Sequence, residues 1–283
     1  MDITGHTRVF LILGDPVAQV RAPEVFNHIF RKHGVDAVLV PAQVPVEHFA
    51  AFARTVLKAR NIDGLWLAIP HKTGMKELLD RCDTLGGIAG AVNAARRNPD
   101  GSIEGGLFDG VGFVKALDQF GIPIAGRRVL VVGVGGGGVA IAASLAQRGV
   151  GRLALFDAAP GRAAEVAARI RKVFLVEVPT PSSPDPAGFD LVVNASPLGL
   201  KAGDPLPFDV ARLDAGAVVV DILMKNQPTP LLRACQARGI TAHPGFEMLV
   251  QQMPEYLSFF GLPTIAEAVQ ADASDVRALV QPL

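Results

Sequence analysis

The chain has 283 residues, enough for two domains with separate cores. Hydrophobic residues make up 49% and charged residues 19%, which excludes a disordered chain. Lys and Arg (27) balance Asp and Glu (27) with no basic stripe, so nucleic acid is excluded as a partner.

Taken in order, residues 8–13 form an apolar strand closed by the turn Gly14-Asp-Pro16. Val25, Phe26, Ile29 and Phe30 recur at helical spacing within 23–33, and Gly34 ends that helix. The spacing then predicts a strand over 37–41, a helix over 46–60 and a strand over 65–69 closed by Pro70. A helix follows over 73–83, then a hairpin of 91–95 and 102–104 around Asn98-Pro-Asp-Gly101. A second unit opens after Asp109-Gly110, with a helix over 111–120 and a connector over 121–126. Strand signals recur at 129–132, 152–156, 173–178, 189–194, 217–221 and 240–243. Helical segments separate most of them, the pattern of a doubly wound parallel sheet. Residues 180–186 carry three prolines and form a loop, and the tail over 247–283 is helical apart from Gly261-Leu-Pro263. Cys82 and Cys235 have no metal-ligand spacing, and no apolar run is long enough to cross a membrane. We therefore expect a cytoplasmic protein with no metal and no membrane partner.

The most informative stretch is Val129-Leu-Val-Val132 followed by Gly133-Val-Gly135-Gly136-Gly137-Gly138. A short buried strand breaks into G-x-G-x-x-G and then into an Ala-rich helix over 139–148. The first glycine permits a tight turn, the second lets backbone approach a pyrophosphate, and the third lets helix pack on strand. The helix N-terminus offers open N–H groups to phosphates. Asp157 falls nineteen residues after Gly138, at the end of the next strand, where a carboxylate meets the adenosine ribose and repels an extra phosphate. This points to NAD over NADP. The alternative is a flexible glycine loop with Asp157 as a turn residue.

A dinucleotide implies hydride transfer, and oxidising an alcohol also needs a group to take the hydroxyl proton. Lys72, in Ile69-Pro-His-Lys72, lies just past a strand end, and Asp109 sits in the Gly-rich bend Gly105 to Gly112. Together they make a proton-transfer pair. A solvated lysine and a helix N-cap aspartate are equally good readings of the residues alone. His71 beside Lys72 is more often structural, and Asp221 either orients a loop or makes a turn.

Several ordered motifs resemble those of the shikimate dehydrogenase family from Val9 to about Leu262. Gly14-Asp-Pro-Val-Ala18 resembles its G-N-P-I-A, Ile69-Pro-His-Lys72 its V-P-x-K, and Ala89-Gly-Ala-Val-Asn93 its A-G-A-V-N. Asp109-Gly-Val-Gly112 resembles its D-G-x-G, Asn194-Ala-Ser196-Pro-Leu-Gly199 its N-A-(S/T)-x-x-G, and Gly245 to Gln252 its G-x-x-M-L-x-x-Q. The resemblance implies that Lys72 and Asp109 are the catalytic pair and that Asn93 and Gln252 contact substrate. It also implies an α/β protein of two lobes. An N-terminal substrate-binding domain (1–110, completed by C-terminal helices 244–283) would accompany a Rossmann-type doubly wound domain (111–243). On the nucleotide side it adds Asn194, Ser196, Met224 and Gly245 to the glycines and Asp157.

The departures concern the substrate. Where the family carries S-x-S to hold the carboxylate of shikimate, this chain has Val20-Arg21-Ala22. Trp66 and Ala68 replace N-x-T, Leu107-Phe108 replaces N-T, and Met224 stands where tyrosine is common. Losing two hydroxyls that bond a carboxylate costs about 3–6 kcal/mol, or roughly two to four decades of affinity. Arg21 would offset part of that only by turning inward. The expected activity is oxidation of a cyclic secondary alcohol less polar than shikimate. A genuine shikimate or quinate dehydrogenase with an altered carboxylate site, in the shikimate pathway to the aromatic amino acids, is the first alternative. A non-catalytic NAD-binding sensor is the second. The partner is a small alicyclic molecule, and the protein a monomer or homodimer.

Overall fold

The computed structural model describes residues 2–280. The chain divides into two compact units, one running to Phe108 and resuming at Gln252, the other spanning Asp109–Gln251.

The first unit opens with β1 (Arg8–Gly14), α1 (Ala22–Lys32), β2 (Ala37–Gln43), α2 (Val46–Val56) and β3 (Ile62–Leu67). It continues through α3 (His71–Lys76), β4 (Arg81–Cys82), α4 (Thr84–Ala89), β5 (Ala94–Arg97) and β6 (Ile103–Gly106). Its six strands lie in the order β2-β1-β3-β5-β6-β4, with β1 parallel to β2 and β3, and β5 antiparallel to its neighbours. Side chains alternate across β3. Leu65 and Leu67 pack with Leu13, Phe49 and Met75 on one face, and Trp66 meets Phe10 and Phe26 on the other.

The second unit carries α5 (Asp109–Gln119), β7 (Arg128–Val132), α6 (Gly136–Gln147), β8 (Arg152–Phe156), α7 (Arg162–Arg171) and β9 (Leu191–Asn194). After a short 3-10 turn come β10 (Val218–Asp221), α8 (Pro230–Ala237), β11 (Thr241–Pro244) and α9 (Glu247–Gln251). Its five strands are all parallel, in the order β11-β10-β9-β7-β8. Strand order therefore reverses between β7 and β9, and in such sheets ligands bind outside the strand ends at that crevice. The chain then returns to the first unit with α10 (Met253–Phe259), α11 (Pro263–Ala271) and α12 (Ser274–Val280). The expected end of the tail, residues 281–283, lies outside the described residues.

Three elements depart from expectation. The strand expected at 173–178 does not form: Leu153 N–H donates to Glu177 O and Leu155 N–H to Pro179 O, but only a single bridge results. A parallel ladder needs residue 179 to donate back to Leu153, and proline has no N–H. Val173 and Leu175 are accordingly exposed. The helix expected over 73–83 stops at Lys76, because the chain turns to pair Arg81 and Cys82 with Glu104 and Gly105 of β6. The unexpected α4 is capped by Asp83, whose carboxylate accepts from Gly86 N–H at 2.6 Å. Among the described residues no helix is long and apolar enough to cross a membrane, and no group of His, Cys, Asp and Glu could hold a metal ion.

Candidate active site

On the first unit, the ends of β1 and β3 are stitched to the stretch before β5 by backbone bonds. Ala68 N–H donates to Leu13 O (2.8 Å), Leu67 N–H to Asn93 O (2.8 Å), and Val92 N–H to Lys72 O (3.0 Å). This sets Lys72, half-buried in the first turn of α3, beside Asn93. Asn93 is fully buried; its Oδ1 accepts from Phe108 N–H at 3.0 Å, and its Nδ2 has no hydrogen-bond partner among the described residues. Gln252, 7% exposed at the N-cap of α10, likewise has an unpartnered Oε1. Trp66, 3% exposed, has an unpartnered Nε1. Tyr256 links the three residues. It sits one helical turn after Gln252, its ring stacks on Trp66 at 5.4 Å, and its hydroxyl donates to Asn93 O at 3.4 Å.

Buried polar atoms without partners are uncommon, because each forfeits its hydration. Two donors and one acceptor left open around one aromatic ring mark a place built to bond something else. The wall beside them is apolar: Phe108 and Phe26 meet Tyr256 edge-on at 5.1 and 5.7 Å, and Phe260 stacks on Trp66 at 4.1 Å. Leu107 is buried, while Val20, Ala22 and Ala68 are half-buried. Arg21 does not offset the missing hydroxyls. It is exposed, paired with Glu24 at 2.8 Å, and donates to Leu279 O at 2.6 Å. His71 is structural, as expected: it is buried, hydrogen-bonds Val44 O at 2.8 Å and stacks on Phe49 at 4.2 Å.

On the second unit, the turn after β7 lies against the loop after β9. Gly133 has φ +92°, and a Cβ there would come within 2.6 Å of Ser196 N. A Cβ on Gly138 would stand 2.0 Å from the Gly133 carbonyl oxygen, so both positions need glycine. Gly135 caps α6 with no side-chain bond, and Gly136 and Gly137 form its first turn, leaving N–H groups open to an anion. This cradle fits a dinucleotide pyrophosphate. Asp157 accepts from Val134 N–H at 2.8 Å and Ala159 N–H at 2.9 Å, with Arg162 at 3.7 Å from the carboxylate. It thus braces the glycine turn, and each oxygen keeps a lone pair for a further donor.

Asn194 is fully buried and spent within the protein. It accepts from Ser196 N–H (3.1 Å) and Oγ (2.7 Å), and donates to Asp221 at 3.0 Å. It holds the loop that carries Ser196. Asp221 also accepts from Thr229 Oγ1 at 2.6 Å, and burial pushes its carboxyl above the usual range. Gly245 N–H donates to Asp221 O at 2.8 Å, which ties the start of α9 to the end of β10; Met224 is half-buried in the next loop. Asp109 opens α5 and is 8% exposed.

The sequence profile of the shikimate dehydrogenase substrate binding domain matches residues 12–95. The shikimate dehydrogenase (NADP(+)) of Rubrobacter xylanophilus is 37% identical over 254 residues, covering 88% of this chain and 89% of that one. The chain belongs to the shikimate dehydrogenase family. Its members are oxidoreductases acting on a CH–OH group, and its two α/β units match the solved structures of the family. The shikimate 5-dehydrogenase of Listeria monocytogenes, solved with shikimate and NAD, superposes with a TM-score of 0.86 at 24% identity, covering 96% of this chain and 98% of that one. The 5-ketofructose reductase of Gluconobacter sp. strain CHM43 shares the fold, with a TM-score of 0.83 at 24% identity over 95% of this chain and 99% of that one.

Against this family background, Tyr256 and Asp83 stand out as residues that sequence reasoning missed. Asp83 Oδ2 accepts from Leu107 N–H at 2.9 Å and fixes the approach to Asp109, and burial raises its carboxyl. The signal for Asp83 was the N-cap pattern Asp83-Thr-Leu-Gly86. Tyr256 carried none, because its role arises from stacking on a residue 190 positions away.

Proposed function

We propose that this shikimate dehydrogenase-family enzyme oxidises a cyclic secondary alcohol that lacks the carboxylate of shikimate. The observation that carries the reading is the set of open buried atoms, Trp66 Nε1, Asn93 Nδ2 and Gln252 Oε1, framed by Tyr256, Phe108 and Phe260. One acceptor and two neutral donors suit hydroxyl groups, and an aromatic wall disfavours an unpaired anion. The Gluconobacter protein of this fold is named for 5-ketofructose, a neutral compound, so the fold itself does not demand an acid.

In this reading Lys72 takes up the hydroxyl proton, and Asp109 is the carboxylate that keeps its ammonium in place. Asn93 and Gln252 bond substrate hydroxyls, and Asn93, held by Phe108 N–H, presents its amide in a fixed orientation. A bound nicotinamide supplies the hydride chemistry. Gly133 to Gly138 and Ser196 would hold the dinucleotide, with Asp157 on the ribose. We infer NAD as the preferred form, although the Rubrobacter relative is named for NADP(+), because a carboxylate at the end of β8 repels a 2′-phosphate. Arg162, at 3.7 Å, reduces that repulsion without removing it.

The test is to mix the protein with NAD or NADP and a panel of cyclic polyols, with and without carboxylates, and follow absorbance of the reduced cofactor. Fastest turnover of a neutral alcohol with NAD supports the proposal. Preferred turnover of shikimate or quinate would return the protein to the family's usual substrates, and binding of NAD without turnover of any alcohol would make it a sensor.

A further inference from the structure

At the opposite end of the first unit's sheet from Lys72 and Asn93, where β1 and β3 begin, lies a cavity of about 380 Å³. Five residue steps along β3 separate it from the end that carries Trp66 and Ala68, roughly 17 Å at strand spacing. Four arginines line it: Arg8 from the start of β1, Arg60 from the turn before β3, and Arg96 and Arg97 from the end of β5. One carboxylate, Asp63, faces them.

The four are not equivalent. Arg8 is anchored, with Nε on Asp63 at 2.5 Å and Nη2 donating to Phe260 O at 3.1 Å. Arg96 is anchored too: it pairs with Glu104 at 3.0 Å, donates to Phe259 O, and lies over the Phe259 ring at 4.6 Å. Arg60 and Arg97 are exposed, and neither side chain has a hydrogen bond or ion pair among the described residues. Two fixed guanidinium groups thus flank two uncompensated ones, beside an apolar surface of Ile62 and Phe260. A guanidinium fork matches phosphate geometry in a way that a lone ammonium does not. Two uncompensated positive charges match a dianion.

We propose that this cavity is a second ligand site that binds a phosphate group, carried by a small organic phosphate ester whose body rests on Ile62 and Phe260. Because Phe260 also stacks on Trp66 at 4.1 Å, the occupied site would abut the substrate-side aromatic cluster from behind.

Calorimetric titration of the whole protein in roughly 0.15 M KCl tests this, with saturating NAD present to fill the glycine turn. The probes are fructose 6-phosphate, inorganic phosphate and fructose. The ester is expected to bind about ten-fold or more tightly than fructose, which lacks the phosphate. The variant Arg60→Gln/Arg97→Gln is expected to weaken the ester by about ten-fold or more, with its unfolding midpoint unchanged. Equal affinity for inorganic phosphate would support the phosphate site and assign it to the free ion. Absence of binding by either anion, or equal binding by the double variant, would overturn the proposal. The readout is binding rather than turnover, so it stands apart from whichever alcohol the enzyme oxidises.

Discussion

At the end of β7 the proposed nucleotide cradle is built of backbone: Gly133 at φ +92°, Gly138 pressed against a carbonyl, and a start of α6 with no side-chain cap. At the end of β3 the proposed substrate wall is built of side chains: Trp66, Asn93, Gln252 and Tyr256, three of them with a buried atom left open. The contrast bears on which changes each site can absorb. A backbone cradle admits no side chain at Gly133 or Gly138, whereas a side-chain wall can exchange hydroxyls for rings and still pack. Trp66, stacked on Phe260 and Tyr256 and edge-on to Phe10 and Phe26, is such an exchange.

Mutations should therefore separate the two halves. Lys72→Ala is expected to have the largest effect, lowering kcat by about 10²–10⁴-fold while NAD affinity stays unchanged. Steady-state rates and a cofactor titration on one preparation check both parts, and a normal kcat would remove Lys72 from the chemistry. Gly138→Ala should do the reverse. Its Cβ would stand 2.0 Å from the Gly133 carbonyl oxygen, so the turn must open, and NAD affinity is expected to fall by about 100-fold, or roughly 3 kcal/mol. Fluorescence titration with NADH measures this; retained affinity would mean that the turn yields easily.

A milder change sharpens the substrate half. Trp66→Phe keeps an aromatic ring in the stack and removes only the Nε1–H. If that donor bonds substrate, KM rises about ten-fold with kcat little changed, the worth of one hydrogen bond of about 1.4 kcal/mol. The unfolding midpoint should hold or rise, since the variant no longer buries an unpaired donor. An unchanged KM would make Trp66 a filler of space alone.

The two halves also differed in how far the sequence disclosed them. The nucleotide half was legible because its determinants are local: a four-residue apolar run, glycines at fixed offsets, and Asp157 at the end of β8, whose residues 152–156 form the strand expected. Where local reading failed there, at 173–178, one Pro179 outweighed five apolar residues by withholding a ladder hydrogen bond. In the substrate half, the residue types at Asn93, Gln252 and Trp66 were visible, but their grouping was not. It depends on α10 returning from the far end of the chain to place Tyr256 on Trp66. Arg21 shows the same limit: its sequence position invited an inward role, and besides the nearby Glu24 its partner is Leu279 O on α12, 258 positions away. Residues 77–83 were misjudged as helix because the pull of β6 on Arg81 and Cys82 is non-local.

The smallest expected effect concerns the frame of the nucleotide half. Arg128, at the start of β7, holds Asp190, just before β9, through Nη2 at 2.8 Å, Nε at 3.2 Å and its backbone N–H at 2.8 Å. The side-chain bonds to the guanidinium, followed by that backbone N–H, bring the Asp190 carboxyl down to about 2 from an ordinary value of 3.8. A carboxylate with a lowered folded-state value adds stability above its ordinary value and loses it as pH falls toward 2. Asp190→Asn retains the shape and discards the charge. At pH 7 the variant should unfold about 1–3 °C below the parent, as expected for a partly exposed ion pair screened by water. That gap should narrow between pH 4 and 2, as the parent's carboxylate protonates, and also in high salt. Unfolding midpoints of both proteins across this pH range test it. A gap that persists at pH 2 would show that the shape of the Arg128–Asp190 contact, rather than its charge, joins β7 to β9.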